Sequence, residues 1–250
     1  MTPIRTAAAA LALATATPAV AFDITDMTDS EREAFRTEVR EFLMENPQVI
    51  LEAVDALEAQ QAAEQAEADS ELIAANAEAI FDDGYSWVGG NPDGDITVVE
   101  FMDYRCGYCR RAKEEVEQLV ESDGNIRLVL KEFPILGEAS LLSSRFAVAT
   151  QNVAGDDAYK SVHDALMAMS NEPNETALER LANTLGLDAD AIFAEMESDA
   201  VTEELQSVRA LAQELQINGT PTFVMGEELV RGYVTLDQMR QIVADAREAG

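Results

Sequence analysis

The sequence predicts an α/β protein in which a small sheet carries a large helical insertion and is preceded by an N-terminal helical stalk. Three observations predict it. Residues 23–82 are helix-forming throughout, short β-branched apolar runs begin only after Gly84, and some eighty residues in the middle of the second part carry helical patterns alone. An apolar content of 47% in 250 residues suffices for one good core plus an appendage.

The first residues, "MTPIRTAAAALALATATPAVAF", read as a secretory signal peptide. Arg5 is a minimal positive start, Ala7 to Leu13 an apolar stretch too short to span a bilayer, and Ala19-Val20-Ala21 a small-x-small cleavage site before Phe22. We therefore expect residues 1–21 to be removed and the mature protein to be soluble and exported. The short Ala-rich leader looks bacterial and points to the periplasm, where thiols meet an oxidising environment. A formal charge of -31 argues against nucleic acid and anionic membrane surfaces as partners, since both would repel it.

Residues 22–83 form the expected stalk. In "SEREAFRTEVREFLMENP" Ser30 with Glu33 makes a capping box, and Phe35, Val39, Phe42 and Leu43 form an apolar stripe. Asn46-Pro47 ends that helix, and a second runs from Pro47 to about Ile80 with Ile50, Val54 and Leu57 on one face. A stripe of this size on so small a segment calls for a partner, so we expect the stalk to assemble copies of the chain; the alternative is an arm folded onto the main domain. Residues 47–83 contain ten acids and no Lys or Arg, so parallel neighbours would repel unless Arg32, Arg36 and Arg40 pair with them.

Residues 84–250 form the second domain. "DITVVEF" is a strand following the turn "GGNPDGD"; it leads into Cys106-Gly107-Tyr108-Cys109 and then "RRAKEEVEQLVESDG", an amphipathic helix ended by glycine. "NIRLVLKEFPI" is the next strand. The helical insertion covers about 137–215, after which "TPTFVMG" and "EELVRGY" read as a hairpin turning at Gly226, and a final helix runs from Leu236 to Arg247 behind Thr235.

Both cysteines lie in "DYRCGYCRR". Two cysteines cannot staple a chain this long, and a bridge between them closes too small a loop to stabilise it much. A structural zinc site wants four Cys or His ligands and the chain has three such residues. A redox dithiol remains, or a pair of soft thiolates that holds Cu(I). Cys106 stands where a helix begins, so unpaired N–H groups and the helix dipole favour its thiolate, and Arg105, Arg110, Arg111 and Lys113 crowd the same turn. These features predict Cys106 as an exposed nucleophile with a pKa of about 3.5 to 7.5, and Cys109 as its buried resolving partner. Glu100, on the incoming strand, would be buried beneath the cysteines, with an exposed acid near a strand end as the alternative. His163 reads as an ordinary helix-surface residue, the nine methionines as core filler, and no glycine-rich nucleotide loop appears, so no cofactor is expected.

A strand ending in C-x-x-C at a helix N-terminus, a helical insertion, Thr-Pro opening a hairpin and a closing helix together resemble the DsbA family of thioredoxin-fold proteins over residues 84–250. With the leading helical segment the chain is similar to the ScsC and Com1-like branch, where such a segment can oligomerise the protein. Gly107-Tyr108 departs from the Pro-His of DsbA and matches the disulfide isomerase DsbC. The resemblance implies a thiol-disulfide oxidoreductase acting on exported proteins, an isomerase or reductase served by a membrane redox partner, with a monomeric dithiol oxidase as the alternative. It implies that Glu100 transfers protons or tunes the resolving cysteine, that Thr220-Pro221 is cis against the dithiol, and that Gly107, Tyr108, Thr220 and Pro221 contact substrate.

Overall fold

The computed structural model of the chain describes residues 26–249, so the leader assigned to residues 1–21 lies outside the described residues. The chain divides into two compact units between Ala59 and Gln60. Helix α1 (Asp29–Glu45) starts two residues earlier than expected: Thr28, not Ser30, is the cap. Its hydroxyl accepts from Glu31 N, and the Glu31 carboxylate accepts from Thr28 N at 2.8 Å. "TDSE" offers the same reciprocal box as "SERE" and gains half a turn of helix. Helix α2 (Gln48–Ala75) follows the break at Asn46-Pro47. Phe35, Val39, Phe42, Ile50, Val54 and Leu57 are all exposed along the first unit.

The second unit begins within α2, short of the compositional change near Asp82. Asp69 and Ile73 are buried, and Asn76 interrupts the helix by donating its side-chain amide to Leu72 O at 2.9 Å. Helix α3 (Ala77–Phe81) resumes and buries Ile80. Ile73 and Ile80 join Val99, Phe101, Val129 and Val224 in one core. Composition hid this join because alanine and acids surround the few apolar residues that dock.

Five strands form one sheet in the order β1-β3-β2-β4-β5, comprising β1 (Trp87–Gly90), β2 (Ile96–Met102), β3 (Ile126–Glu132), β4 (Thr222–Met225) and β5 (Glu228–Arg231). Only β2 and β3 are parallel, the pairing that α4 (Gly107–Asp123) makes possible as a crossover. Gly124, at φ 73°, closes α4 in the left-handed conformation that glycine adopts without strain. Strand β1 was not expected. Its glycines look like turn residues, yet it pairs antiparallel with β3, and the turn itself is Asn91–Gly94. The insertion is α5 (Glu138–Ala154), α6 (Asp156–Ala168), α7 (Glu175–Thr184), α8 (Ala189–Met196) and α9 (Asp199–Glu214). Thr235 caps α10 (Leu236–Ala249) with Gln238.

Alternation along β2 sends Val98, Glu100 and Met102 to one face and Val99 and Phe101 to the other. The first face packs against α4 and α10 through Val116, Leu119, Met239 and Val243, and its core continues into the insertion at Phe146, Tyr159 and Leu166. The second face takes Val208 and Leu211 of α9 with Ile73 and Ile80.

Lys131, wholly buried on β3, donates to Ala79 O at 2.8 Å and pairs with Asp83, tying the α3 segment to the sheet. Asp83→Asn should cost roughly 3 kcal/mol, because an uncompensated ammonium stays buried, and Asp83→Asn with Lys131→Met should recover most of it. Urea denaturation of the three proteins checks this.

Candidate active site

The turn before the dithiol is built around Asp103. Its fully buried carboxylate accepts from Arg105 N and Ser140 Oγ, each at 2.7 Å, from Ile135 N at 2.8 Å and from Leu136 N at 3.1 Å. One carboxylate thus ties the end of β2, the loop after β3 and the start of α5 together. Our reading of the sequence missed it, though an Asp two residues before a turn amide is a known local signal.

Cys106 is the N-cap of α4 and Cys109 lies in its first turn, both as free thiols. Contrary to expectation Cys106 is not freely exposed: it keeps 7% of its surface open, because the Thr220–Pro221 segment lies over it. That peptide bond is cis, and the Cys106 Sγ–H donates to Thr220 O at 3.1 Å. The Cys106 pKa is lowered to about 5, first by the Cys109 thiol, then by the Thr220 side chain and the N–H groups of Cys109 and Tyr108, against the opposing effect of burial. The basic collar has other partners. Arg105 donates to Asn171 O, Arg110 to Tyr104 O, Arg111 lies 4.6 Å over the Tyr233 ring, and Lys113 pairs with Glu117 and Asp164. The helix terminus and the second thiol, rather than the arginines, are what favour the thiolate.

Cys109 is fully buried, and its thiol is pushed far up by its hydrogen bond with the Cys106 sulfur and by burial. Glu100 is buried as expected, on the α4 face of β2; burial first and the Cys106 charge second push its pKa up to about 8. Its Oε1 has no hydrogen-bond partner. Above the dithiol, nothing stands within 4 Å of where a Cβ on Gly107 would be, and Tyr108 is 62% exposed with its ring 6.1 Å from that of Tyr233. The structure therefore brings Cys106, Gly107, Tyr108, Cys109, Thr220, Pro221 and Glu100 into one neighbourhood.

His163 departs from its expected surface position. It is buried, its Nδ1 lies 3.3 Å from Tyr104 Oη, its ring stacks on Tyr159, and burial drives its pKa down to about 3. Tyr159, Val162, His163 and Leu166 share the buried face of α6, a helical spacing that was legible in the sequence. Beside them Glu132, also missed, accepts from Tyr104 at 2.6 Å and Tyr159 at 2.7 Å, and burial raises its pKa to about 7. Among the described residues no group of three or more His, Cys, Asp or Glu is placed to hold a metal ion, and no helix is long and apolar enough to cross a membrane.

A thiolate at a helix N-terminus, a buried second thiol one turn on and an acid beneath them can attack a disulfide and release the product through the second sulfur. With this sheet and insertion, that arrangement defines the class as a thioredoxin-fold domain of the thiol-disulfide oxidoreductase type. The chain belongs to the DSBA-like thioredoxin domain family, which matches residues 97–244, and residues 31–64 match the copper resistance protein ScsC N-terminal domain. A thioredoxin-like oxidoreductase from Silicibacter pomeroyi DSS-3 is 46% identical, with a TM-score of 0.65 over 69% of this chain and 98% of that one. The thiol-disulfide exchange protein α-DsbA2 from Wolbachia pipientis is 26% identical, with a TM-score of 0.67 over 72% and 97%. ScsC from Proteus mirabilis in a transitional conformation is 25% identical, with a TM-score of 0.64 over 90% and 100%. Curated relatives include the Na(+)/H(+) antiporter NhaA 3 of Salinispora tropica, 26% identical over 159 residues; the chain spans 24% of that protein's length.

Two measurements test the site. Iodoacetamide labelling of Cys106 should titrate with a midpoint near 5, far below an ordinary thiol, while Cys109 stays unreactive. For Glu100, a folded pKa raised from 4.5 to about 8 means that the folded state holds a proton the unfolded state has released, so stability falls as pH rises through that window. Glu100→Gln should therefore gain stability relative to the parent protein between pH 5 and pH 8, by roughly 3 kcal/mol. Thermal denaturation at the two pH values checks the sign.

Proposed function

We propose that this chain is a periplasmic thiol-disulfide oxidoreductase that acts on exported, cysteine-containing proteins as a disulfide isomerase or reductase, kept reduced by a membrane redox partner. The observation that carries the reading is the paired environment of the thiols: Cys106 at a helix N-terminus with a pKa of about 5, and Cys109 buried behind it and held protonated. Cys106 attacks a substrate disulfide, forming a mixed disulfide. In isomerisation the released substrate thiolate attacks elsewhere in the same substrate; in reduction Cys109 displaces the substrate and leaves the protein oxidised. Glu100 in its carboxylate form receives the Cys109 proton when Cys109 attacks, and as the carboxyl it returns the proton when Cys109 leaves. Gly107, Tyr108, Thr220 and Pro221 hold the extended chain around the target sulfur, with the backbone of Thr220 as a pairing edge.

Direction follows from how strongly the thiolate is favoured. A pKa of about 5 lies between the roughly 3.5 of a strong oxidant and the roughly 7 of a reductant, and the DsbC-like Gly107-Tyr108 supports isomerase work. The exposed stripe of Phe35, Val39, Phe42, Ile50, Val54 and Leu57 supports assembly through the helical segment before residue 84, which would place two or more dithiols around one substrate. A monomeric dithiol oxidase is the alternative. The match of residues 31–64 to a copper resistance protein's N-terminal domain favours a second reading, in which the Cys106 and Cys109 thiolates hold Cu(I).

Cys109→Ser should trap mixed disulfides with exported proteins through Cys106, seen as adducts that a reductant dissolves; their absence would remove the exchange reading and leave Cu(I) binding, assayed by titration, in front. In scrambled-ribonuclease reactivation the parent protein should restore activity. Phe35→Glu with Phe42→Glu should abolish both the oligomer in sedimentation and the reactivation, while Cys106 alkylation is unchanged. Oxidation of reduced ribonuclease without reshuffling would make the protein an oxidase instead.

A further inference from the structure

The chain holds 48 acids and 17 bases, yet four of those bases, Arg105, Arg110, Arg111 and Lys113, crowd the turn of the dithiol. The acidity of Cys106 does not account for them, since the second thiol and the helix terminus supply it. Lys113 is neutralised by Glu117 and Asp164. Arg105, Arg110 and Arg111 enter none of the ion pairs among the described residues. Each is fixed by an uncharged partner instead: Arg105 by Asn171 O at 3.2 Å, Arg110 by Tyr104 O at 2.8 Å, and Arg111 by the face of the Tyr233 ring. A guanidinium has five donors and a carbonyl uses one, so Arg105 and Arg110 keep N–H groups for a second partner. Arg111 is exposed.

Two acids accompany this collar, and both are engaged elsewhere. Asp103 is satisfied by its four internal donors, and Glu115 accepts from the Tyr233 hydroxyl rather than pairing with Arg111. Burial lowers the Arg110 pKa first and the charge of Arg105 second, while Asp103 and Cys106 raise it, so the two guanidiniums and the sulfur lie within one another's fields. Arg105 reaches toward the insertion. Arg111 reaches toward the loop before α10, where the exposed Tyr108 ring lies 6.1 Å from that of Tyr233. Positive charge thus borders the sulfur toward two different parts of the domain.

We propose that Arg105 and Arg111 select the substrate: they bind Asp or Glu side chains beside the target cysteine of an exported polypeptide, so that cysteines with acidic neighbours are the class this dithiol serves first. The inference rests on the reading that Cys106 exchanges disulfides with exported proteins. A carboxylate suits a guanidinium because the planar fork donates two parallel N–H bonds to it. Arg110, held to the turn by Tyr104, adds to the field. Range decides between occupants. At about 0.1 M salt a surface charge is felt over about 10 Å, and a carboxylate beside the attacked sulfur comes that close to the collar. An anionic membrane or a nucleic acid meets the whole chain, whose charge of -31 repels it.

Reduced parent protein is mixed with disulfide-linked peptide dimers that differ only in the residue beside cysteine, Asp or Lys, and the released peptide thiols are measured. Cys106 attacks one sulfur, the peptide disulfide breaks, a Cys106–peptide bond forms and one peptide thiolate leaves; Cys109 then displaces the second peptide and the protein is left oxidised. Each rate is divided by that of the same dimer with free dithiothreitol, which removes the effect of the flanking charge on the peptide sulfur itself. At about 0.1 M salt the Asp dimer should lead the Lys dimer on the order of tenfold, and the lead should shrink at about 1 M salt, where charges act over about 3 Å. Arg105→Gln with Arg111→Gln should remove most of the lead, and any change in Cys106 chemistry common to both dimers cancels in the ratio. A ratio near one in the parent protein, or a ratio unchanged in the double variant, overturns the proposal. Labelled peptides with serine in place of cysteine, read by fluorescence anisotropy, decide the matter where no exchange occurs: the Asp peptide should bind the parent protein more tightly than the double variant, and equal binding overturns the selection. Selective Asp binding with no reaction of either dimer would instead remove the exchange reading.

Discussion

The buried carboxylate of Asp103 is the constraint on which the site depends. Four donors from three segments converge on it: the amide of Arg105, the amides of Ile135 and Leu136, and the Ser140 hydroxyl. A charge in the interior persists only when it is satisfied in this way, so these segments are held in one relative arrangement. That arrangement starts α4 at Gly107 and leaves Cys106 as its cap, with the N–H groups of the first turn free to face sulfur.

From there the two thiols are driven apart by environment rather than by chemistry. The same helix presents one sulfur at its end and the other inside, so the second thiol and the helix terminus favour a thiolate at Cys106 while the hydrogen bond with Cys106 and burial oppose one at Cys109. Separating their acidities makes one an attacker and the other a reserve, and Glu100 below them is protonated for the same reason that it is buried. The helical insertion takes part in this. Through Tyr159 it shares Glu132 with Tyr104, two residues before Cys106, and through Lys160 it pairs with Glu117 on α4.

The docked end of α2 and α3 has a different logic. Asp69 with Arg231 and Asp83 with buried Lys131 bind an acidic, Ala-rich segment to the sheet by ion pairs as well as by Ile73 and Ile80. Removing one partner of such a pair leaves a charge without compensation, which makes the attachment specific even though little apolar surface is involved. In the first unit Phe35, Val39, Phe42, Ile50, Val54 and Leu57 are exposed.

Much of this was legible in the sequence. Periodicity and caps define the central strands, the insertion and the closing hairpin, and the C-x-x-C at a strand-to-helix junction identifies the dithiol, because these are signals carried by neighbouring residues. Reading "DITVVEF" as a strand covered on both faces was enough to expect Glu100 buried. What only the tertiary structure decided is long-range: Cys106 is covered by a segment more than a hundred residues away, Arg105 and Arg111 face partners in the insertion and in the loop before α10, and His163 is buried between tyrosines. Strand β1 exists because β3 offers it an edge, and the second unit takes in the end of α2 because Asp69 and Ile73 there, with Ile80 and Asp83 just after, meet the sheet. Local sequence specifies which elements form; which side chains lose their solvent depends on how distant elements pack, and that loss of solvent sets the acidities on which the chemistry rests.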